Sequence, residues 1–370
     1  MGREAPAHPP LLRGAHPAAR HQGLDRAPDG ERQLAPGALG DREEVRHPGP
    51  RAHRGQRLGH RQPEDPPQAG HREQRRARRG HVPPGGLRLF EFRCPLRWSD
   101  LDAQGHVNNA LVVDYLQEAR VAFFKSGPAS QLLDEGIVVV GHQVEYLAPI
   151  DYRPEGLDVE LVVAALGGAR FEITYVLRQG DRPVARARTV LCPFDFGANR
   201  PVRIPDDVRE YLGAHLAEVE PLRELATPRL DGRGSATDLF VRWSDHDSYA
   251  HVNNSKTYDY IQQARVVATA QWDPTMARVG QADSQHLWLV ARQDVDYVAQ
   301  LTHRMEPFAV LTAPVRLGTS SVTLASEIVD PGTGTVFNRG RTVLVCADTR
   351  LRPTALPEST RVALERRLVA

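Results

Sequence analysis

Two short stretches of the sequence combine side chains that could act on a carbonyl group. RWSDLDAQGHVNN places Asp102 four residues before His106 and ends in Asn108 and Asn109. A carboxylate can serve a carbonyl reaction as general base or as nucleophile. Backbone N–H groups at the start of a helix can hold the oxyanion that forms. The spacing therefore favours a site for attack on a carbonyl carbon.

The same set of residues returns further along the chain in RWSDHDSYAHVNN. The corresponding residues there are Asp247, His251, Asn253 and Asn254. Residues 97–120 and 242–265 align without a gap and are identical at 14 of 24 positions. VEYLAPI (144–150) and VDYVAQL (295–301) correspond in the same order. The motif begins at Arg97 in one copy and at Arg242 in the other, so each repeat is as long as a whole domain. This predicts a duplicated domain rather than a solenoid.

A purely structural interpretation of the motif stays open at this point. Asp100 and Asp102 could close turns through their own side chains. Asn108 and Asn109 are natural caps for a helix that follows them. The tryptophan of each copy, such as Trp98, is expected to pack rather than to contact substrate.

Metal and nucleotide chemistry find less support in the spacing. A calcium loop starting at Asp100 would need Glu where Leu111 stands. Asp102 and His106 lack a third zinc ligand at a usable spacing. No GxSxG elbow, Walker loop or dinucleotide fingerprint is present in the sequence. We therefore expect neither a metal nor a cofactor.

Each copy is predicted to be an α+β unit. Residues 109–126 favour a helix that is apolar on most faces, hence buried, and Gly127-Pro128 should end it. One strand precedes each motif. The strands expected after it are Ile137–Leu147, Leu157–Leu166, Arg170–Arg178 and Val184–Phe194 in copy one, and Trp288–Val298, Phe308–Leu317, Ser321–Val329 and Thr335–Cys346 in copy two. A curved antiparallel sheet of about five strands can wrap such a helix.

The predicted organisation has five parts. They are a disordered extension (1–86), domain one (87–200), a helix and linker (201–235, with the helix at Ile204–Glu220), domain two (236–350) and a C-terminal helix or tail (351–370). Residues 1–88 contain no Phe, Trp, Tyr, Ile or Lys and cannot bury enough apolar surface to fold. Such a segment could be a basic RNA-binding arm. We favour a tail without a role, or upstream sequence read from a misplaced start codon.

Overall composition excludes several protein classes. A formal net charge of +1 gives no reason to expect nucleic acid or an anionic membrane as partner. No apolar run approaches the roughly 20 residues of a membrane span. The three cysteines are far apart, which disfavours a disulfide framework. We expect a soluble cytoplasmic protein.

The motif DLDAQGHVNN, the helix after it and the strand VEYLAPI resemble the hotdog-fold thioesterases of the 4-hydroxybenzoyl-CoA thioesterase-like superfamily, above all its acyl-CoA thioesterases. The resemblance covers Leu89 to about Cys346, once per copy. It implies two tandem hotdog domains, each an antiparallel sheet of about five strands around a long central helix, packed as a pseudo-dimer. A further homo-oligomer stays open.

The resemblance also implies an activity and assigns roles. It implies hydrolysis of acyl-CoA to free acid and CoA at sites that each copy completes for its neighbour. The catalytic carboxylates would be Asp102 and Asp247. The oxyanion donors would be backbone N–H groups of Asn109 and Asn254, with His106, Asn108, His251 and Asn253 shaping the sites. If only one site works, Asp102 is the expected one.

Two departures between the copies bear on this expectation. Gly105 becomes Ala250, which could crowd the site or demand another backbone angle. Glu118, a candidate hydrogen-bonding partner behind the catalytic residues, becomes Gln263.

Three alternatives remain. Plant-type acyl-carrier-protein thioesterases also carry tandem hotdogs, but they show Asn where Gln104 and Tyr249 stand. Hotdog hydratases have Asp and His five positions apart with a proline between, whereas Asp102 and His106 are four positions apart with none. An acyl-binding protein without turnover is the non-enzymatic alternative.

Overall fold

A computed structural model describes residues 88–277 and 286–369; the predicted disordered extension lies outside these ranges. The strands are β1 (Phe90–Cys94), β2 (Ile137–Tyr146), β3 (Leu157–Leu166), β4 (Phe171–Gln179), β5 (Arg182–Asp195), β6 (Arg200–Pro201), β7 (Ser235–Leu239), β8 (Leu287–Tyr297), β9 (Phe308–Leu317), β10 (Ser321–Val329) and β11 (Val336–Ala347). The α-helices are α1 (Val112–Lys125), α2 (Gln131–Glu135), α3 (Asp206–Gly213), α4 (Lys256–Trp272) and α5 (Glu358–Glu365).

In the described part of the chain, both copies contribute to one antiparallel sheet. Its strand order is β1-β3-β4-β5-β2-β8-β11-β10-β9-β7, with β6 paired to β5 off this path. The two halves join where β2 pairs with β8, for example at Val144 opposite Gln293. Five strands per copy and a continuous junction confirm the predicted α+β class and the pseudo-dimer.

The long helix of copy one is buried as predicted. Val112, Leu116 and Phe123 on α1 are fully buried, and each such side chain contributes roughly 1.5–3 kcal/mol through the hydrophobic effect. The first turn of the predicted helix is a 3-10 turn, Asn109–Leu111. Gly127 follows α1 because the Tyr211 ring fills the space that a Cβ would need.

The predicted helix at Ile204–Glu220 is shorter in the structure. Only α3 is helical, because the chain after it turns back to pair with β3. Val163 N donates to His215 O (3.0 Å), and Ala217 N donates to Val163 O (2.9 Å). Val208 and Leu212 are fully buried in the copy-one core, so α3 packs on copy one rather than only linking the copies.

The C-terminal segment contains a helix, α5, which begins after Pro357 as α3 begins after Pro205. Proline suits the start of a helix because its missing N–H is not needed there. No helix in the described ranges is long and apolar enough to cross a membrane.

Candidate active site

Asp100 of the motif has a structural role. Its Oδ2 accepts a hydrogen bond from Tyr115 Oη on α1 at 2.8 Å. Asp245 and Tyr260 make the same contact in copy two at 2.6 Å. Both carboxylates are almost fully buried. The first aspartate of each motif therefore ties the loop to its helix, as the structural interpretation allowed.

Asp102 is held in the loop by one carboxylate oxygen. Oδ1 accepts from Gln104 N (2.8 Å) and from His106 N (3.4 Å), while Oδ2 makes no hydrogen bond to a described residue. Asp247 Oδ1 accepts from Tyr249 N at 2.9 Å. Each loop is closed by the main chain, since the aspartate N–H donates to the histidine carbonyl at 2.7 and 2.8 Å. The second oxygen of Asp102 is therefore available for chemistry.

The exchange of Gly105 for Ala250 does not change the loop. Gly105 has φ 80° and Ala250 has φ 59°, so both lie in the left-handed region that glycine favours. A Cβ placed on Gly105 would meet nothing within 4 Å. The expectation of a different backbone angle is wrong, and no protein atom crowds the alanine-sized position.

The helix starts provide free backbone donors. Asn108 Oδ1 accepts from Ala110 N at 3.0 Å, and Asn253 Oδ1 accepts from Ser255 N at 3.0 Å. This confirms Asn108 as a cap. The main-chain N–H groups of Asn109 and Asn254 donate to no described residue. They lie where a helix terminus favours negative charge.

Side chains of the central strands reach across to the opposite helix start. Asn109 Nδ2 donates to Gln293 Oε1 on β8 at 3.2 Å. His142 Nε2 on β2 lies 3.2 Å from Asn254 Oδ1. Each copy thus contributes one side chain to the helix start of its neighbour. The sequence interpretation missed these partners, although each stands two residues before the repeated VEY or VDY.

His142 is a neutral positioning group. Burial, assisted by the positive charge of Arg120, lowers the pKa of His142 to about 3. Its Nδ1 accepts from the Thr189 hydroxyl at 2.9 Å, which leaves Nε2–H to donate to Asn254. At the copy-one helix start this role falls to the uncharged Gln293 of copy two, so neither helix start faces a cation from the opposite central strand.

The Asp102 loop opens into a cavity of about 500 Å³ between the copies. Asp102, His106, Asn108 and Asn109 all line it. Copy two provides the opposite wall, which includes Gln262, Arg265, Val266 and Thr269 of α4, Met276, Leu289 and Val290 of β8, and Leu344 of β11. The part outside the helix is apolar, whereas Val266 is the apolar member among the four α4 residues.

The Asp247 loop also lines a cavity of about 500 Å³, but its opposite wall is different. Copy one covers it with the start of β2 and with Phe194 and Phe196. The Phe196 ring lies 5.3 Å from the His251 ring and 4.9 Å from the Tyr249 ring. Tyr249 Oη also donates to Leu133 O at 2.7 Å. This loop is fastened to copy one by aromatic contacts.

Some predicted residues lie elsewhere. Glu118 and Gln263 are exposed on their helices and line neither cavity. Trp98 and Trp243 are 75% and 76% exposed, so the expectation of packing is wrong for Trp98, whereas the Trp243 ring still lies 5.3 Å from the His246 ring and 5.6 Å from the His303 ring. Each tryptophan lies in a 3-10 turn in which the aspartate, not the tryptophan, is the buried residue.

Comparison with known proteins gives a consistent family. The model of the thioesterase-like superfamily matches residues 96–212 and 241–364. A putative esterase of Aquifex aeolicus is 32% identical over 127 residues, 33% of this chain and 97% of the relative. A 1,4-dihydroxy-2-naphthoyl-CoA hydrolase of Synechococcus elongatus is 28% identical over 129 residues, 33% of this chain and 94% of the relative.

The crystal structure of a putative oleoyl thioesterase from Lactobacillus plantarum is similar over a longer stretch. It has a TM-score of 0.56 at 14% identity and covers 74% of this chain and 99% of its own. Each of the two curated relatives matches about one copy, whereas this structure spans both. The tandem hotdog fold expected from the motif is confirmed.

Proposed function

Because the chain belongs to the thioesterase-like superfamily, we propose that it hydrolyses an acyl-CoA thioester to the free acid and CoA. The observation that carries the proposal is the shared cavity of Asp102 and Asn109, which places a carboxylate and a free helix-start N–H against one apolar channel. Reaction at Asp102 is the conclusion that this geometry supports best.

In the proposed reaction Asp102 activates water. Oδ2 takes a proton as the water oxygen bonds to the thioester carbon. The carbonyl oxygen becomes an oxyanion, to which the N–H of Asn109 donates. The intermediate then expels the thiolate, which recovers the proton. Direct attack by Oδ2 is the covalent variant, in which water afterwards hydrolyses the acyl–Asp102 anhydride.

His106 and Asn108 have positioning roles in this proposal. The N–H of His106 helps to fix Asp102 Oδ1, and the Asn108 side chain fixes the first turn that presents the Asn109 N–H. Asp247, His251, Asn253 and Asn254 form the corresponding second site. We assign turnover to Asp102 because Tyr249 and His251 in the loop of the second site are covered by the Phe196 ring.

CoA is the proposed thiol, since a relative bears the name of a CoA-thioester hydrolase. The acyl group would lie between α4 and β8. Acyl carrier protein as thiol donor is the alternative, which Gln104 and Tyr249 weaken by replacing the asparagine of the plant-type enzymes.

The test is release of free thiol, measured with a thiol-reactive dye, from short, medium and long acyl-CoAs and from benzoyl-CoA, with the full chain. We expect turnover by the wild type and its loss in an Asp102→Asn, Asp247→Asn double variant. Glu118→Gln is the matched control, because its carboxylate is exposed outside both cavities, and it should retain turnover. Full activity in a folded double variant would overturn the mechanism. Inactivity of the folded wild type toward every CoA ester would overturn the substrate assignment.

A further inference from the structure

The two copies carry an arginine at the same helix position, but in different environments. Arg120 on α1 is 5% exposed, and its Nη1 donates to Tyr175 Oη at 3.4 Å. Arg265 on α4 lines the Asp102 cavity. Its Nε is buried without a hydrogen bond, and no residue in the described ranges forms an ion pair with it. One arginine has a polar partner and the other faces the cavity.

The sheet register explains the difference. Tyr175 pairs with Leu161, four residues after the residue opposite Cys94. The equivalent position in copy two, counted from the residue opposite Leu239, is Thr312, which pairs with Ser326. Ser326 lacks the reach of tyrosine, and its hydroxyl lies 3.4 Å from Thr312 Oγ1. The change from tyrosine to serine leaves the Arg265 guanidinium without this partner.

A cation in such a position favours an anionic ligand. Burial lowers the pKa of Arg265 to about 10, so the side chain is still charged at neutral pH. The buried Nε has no hydrogen-bond partner, and leaving such a group unpaired is costly; the planar guanidinium fork matches a carboxylate in bidentate geometry. Around it the wall is apolar, with Val266, Leu289 and Leu344. The cavity therefore combines an aliphatic channel with one fixed positive group.

We propose that the Asp102 cavity takes acyl groups that carry a second carboxylate, the mono-thioesters of aliphatic dicarboxylic acids, and that Arg265 binds this carboxylate. The inference rests on the proposed function and names its substrate class. The negative Asp102 repels the free carboxylate and Arg265 attracts it. The two charges thus orient the substrate with its thioester at Asp102.

The test compares matched pairs of thioesters in wild type and variants: succinyl with butyryl-CoA, adipoyl with hexanoyl-CoA, suberyl with octanoyl-CoA. We expect the best dicarboxylyl-to-acyl ratio of kcat/KM to fall by at least about tenfold in Arg265→Met, because charge-assisted hydrogen bonds are lost. Arg265→Lys should retain part of the ratio. The matched control Arg120→Met should leave it unchanged, because Arg120 does not line this cavity.

Failure of the inference and failure of the proposed function give different results. An unchanged ratio in a folded Arg265→Met variant that still hydrolyses the unsubstituted esters would overturn the inference alone. If the wild type hydrolyses no thioester, the proposed function fails. The inference about Arg265 is then tested by binding of a free dicarboxylate. Free adipate should then raise the melting temperature of the wild type but not of Arg265→Met. Equal shifts in both proteins would overturn it.

Discussion

The Asp102 loop and the Asp247 loop have the same main-chain hydrogen bonds and face different walls. The Asp102 loop faces α4, where Val266, Thr269 and Arg265 line a channel. The Asp247 loop faces the start of β2 and the Phe196 ring, and no residue of α1 lines that cavity. The motif determines the hydrogen bonds within each loop, whereas the opposite copy determines the cavity wall that each loop faces.

Equivalent helix positions in the two copies show how the cavity walls differ. Phe123 and Phe124 on α1 correspond to Ala268 and Thr269 on α4. Phe124 packs on Phe171 with ring centroids 6.1 Å apart. The smaller pair on α4 leaves room beside the helix. The two motif loops therefore keep the same form while the walls opposite them differ.

The largest effect on stability is expected from the ion pairs on the two halves of the sheet. Asp294 in copy two is fully buried, 2.5 Å from Arg292 and 3.7 Å from Arg341, both of which are almost fully buried. Asp294→Asn should cost about 3–5 kcal/mol of unfolding free energy because the buried Arg292 loses its counterion, while Arg341 keeps the Asp296 carboxylate. Urea unfolding measures this cost.

The comparison variant in copy one is Glu145→Gln, whose carboxylate accepts from Arg186 at 2.6 Å with both side chains about a third or more exposed. Its cost should be at most about 1 kcal/mol. Similar costs for Asp294→Asn and Glu145→Gln would contradict the difference in burial between the two halves.

Closing the channel is the next largest effect. Thr269→Phe installs the copy-one residue and should lower kcat/KM for long acyl-CoAs by at least about tenfold, while short acyl-CoAs are affected less. Overpacking costs about 1–3 kcal/mol, so circular dichroism must confirm folding. Thr269→Val is the control of similar volume. Unchanged turnover of long acyl-CoAs by the folded Thr269→Phe variant would show that the acyl chain of the substrate does not lie along α4.

Of the two junction residues His142 and Gln293, only the histidine titrates, so it should make the unfolding free energy depend on pH. Burial lowers the pKa of His142 to about 3, whereas an unfolded histidine titrates near 6.5. Between these values the unfolded state binds one more proton, so the unfolding free energy falls as pH falls, by up to about 1.4 kcal/mol per pH unit. His142→Gln should remove this contribution. Parallel pH dependence of wild type and variant in urea unfolding would contradict it.

The smallest effect concerns the fastening of the Asp247 loop. Tyr249→Phe removes the hydrogen bond to Leu133 O and should cost about 0.5–1.5 kcal/mol, with thioester turnover unchanged. Its copy-one counterpart Gln104→Ala should cost less, because the Gln104 side chain makes no hydrogen bond to a described residue. A large loss of turnover in Tyr249→Phe would place activity in the second site.

Much of the fold could be predicted because local patterns determine it. β3, β9 and β10 begin and end where the strand pattern predicts, and Asn108 caps the turn before α1. The end of α3 could not be predicted, because pairing of its following segment with Val163 competes with helix formation. That competition depends on a tertiary neighbour.

The candidate site was predictable in its motif and not in its surroundings. Asp102 and Asn109 lie within one stretch of sequence, so their spacing reveals them. Gln293 and Arg265 come from the other copy, and Phe196 reaches its loop only through the fold. Sequence spacing does not report such distances, although the repeat alignment already contrasts Thr269 with Phe124.

Comparison of Asp102→Asn with Asp247→Asn as single variants tests most directly whether the two copies differ in function. We expect Asp102→Asn to lower kcat for acyl-CoA hydrolysis by at least about a hundredfold, the range of general-base catalysis, and Asp247→Asn to stay close to wild type. Equal losses in the two folded variants, or a loss confined to Asp247→Asn, would contradict the assignment of turnover to the Asp102 cavity.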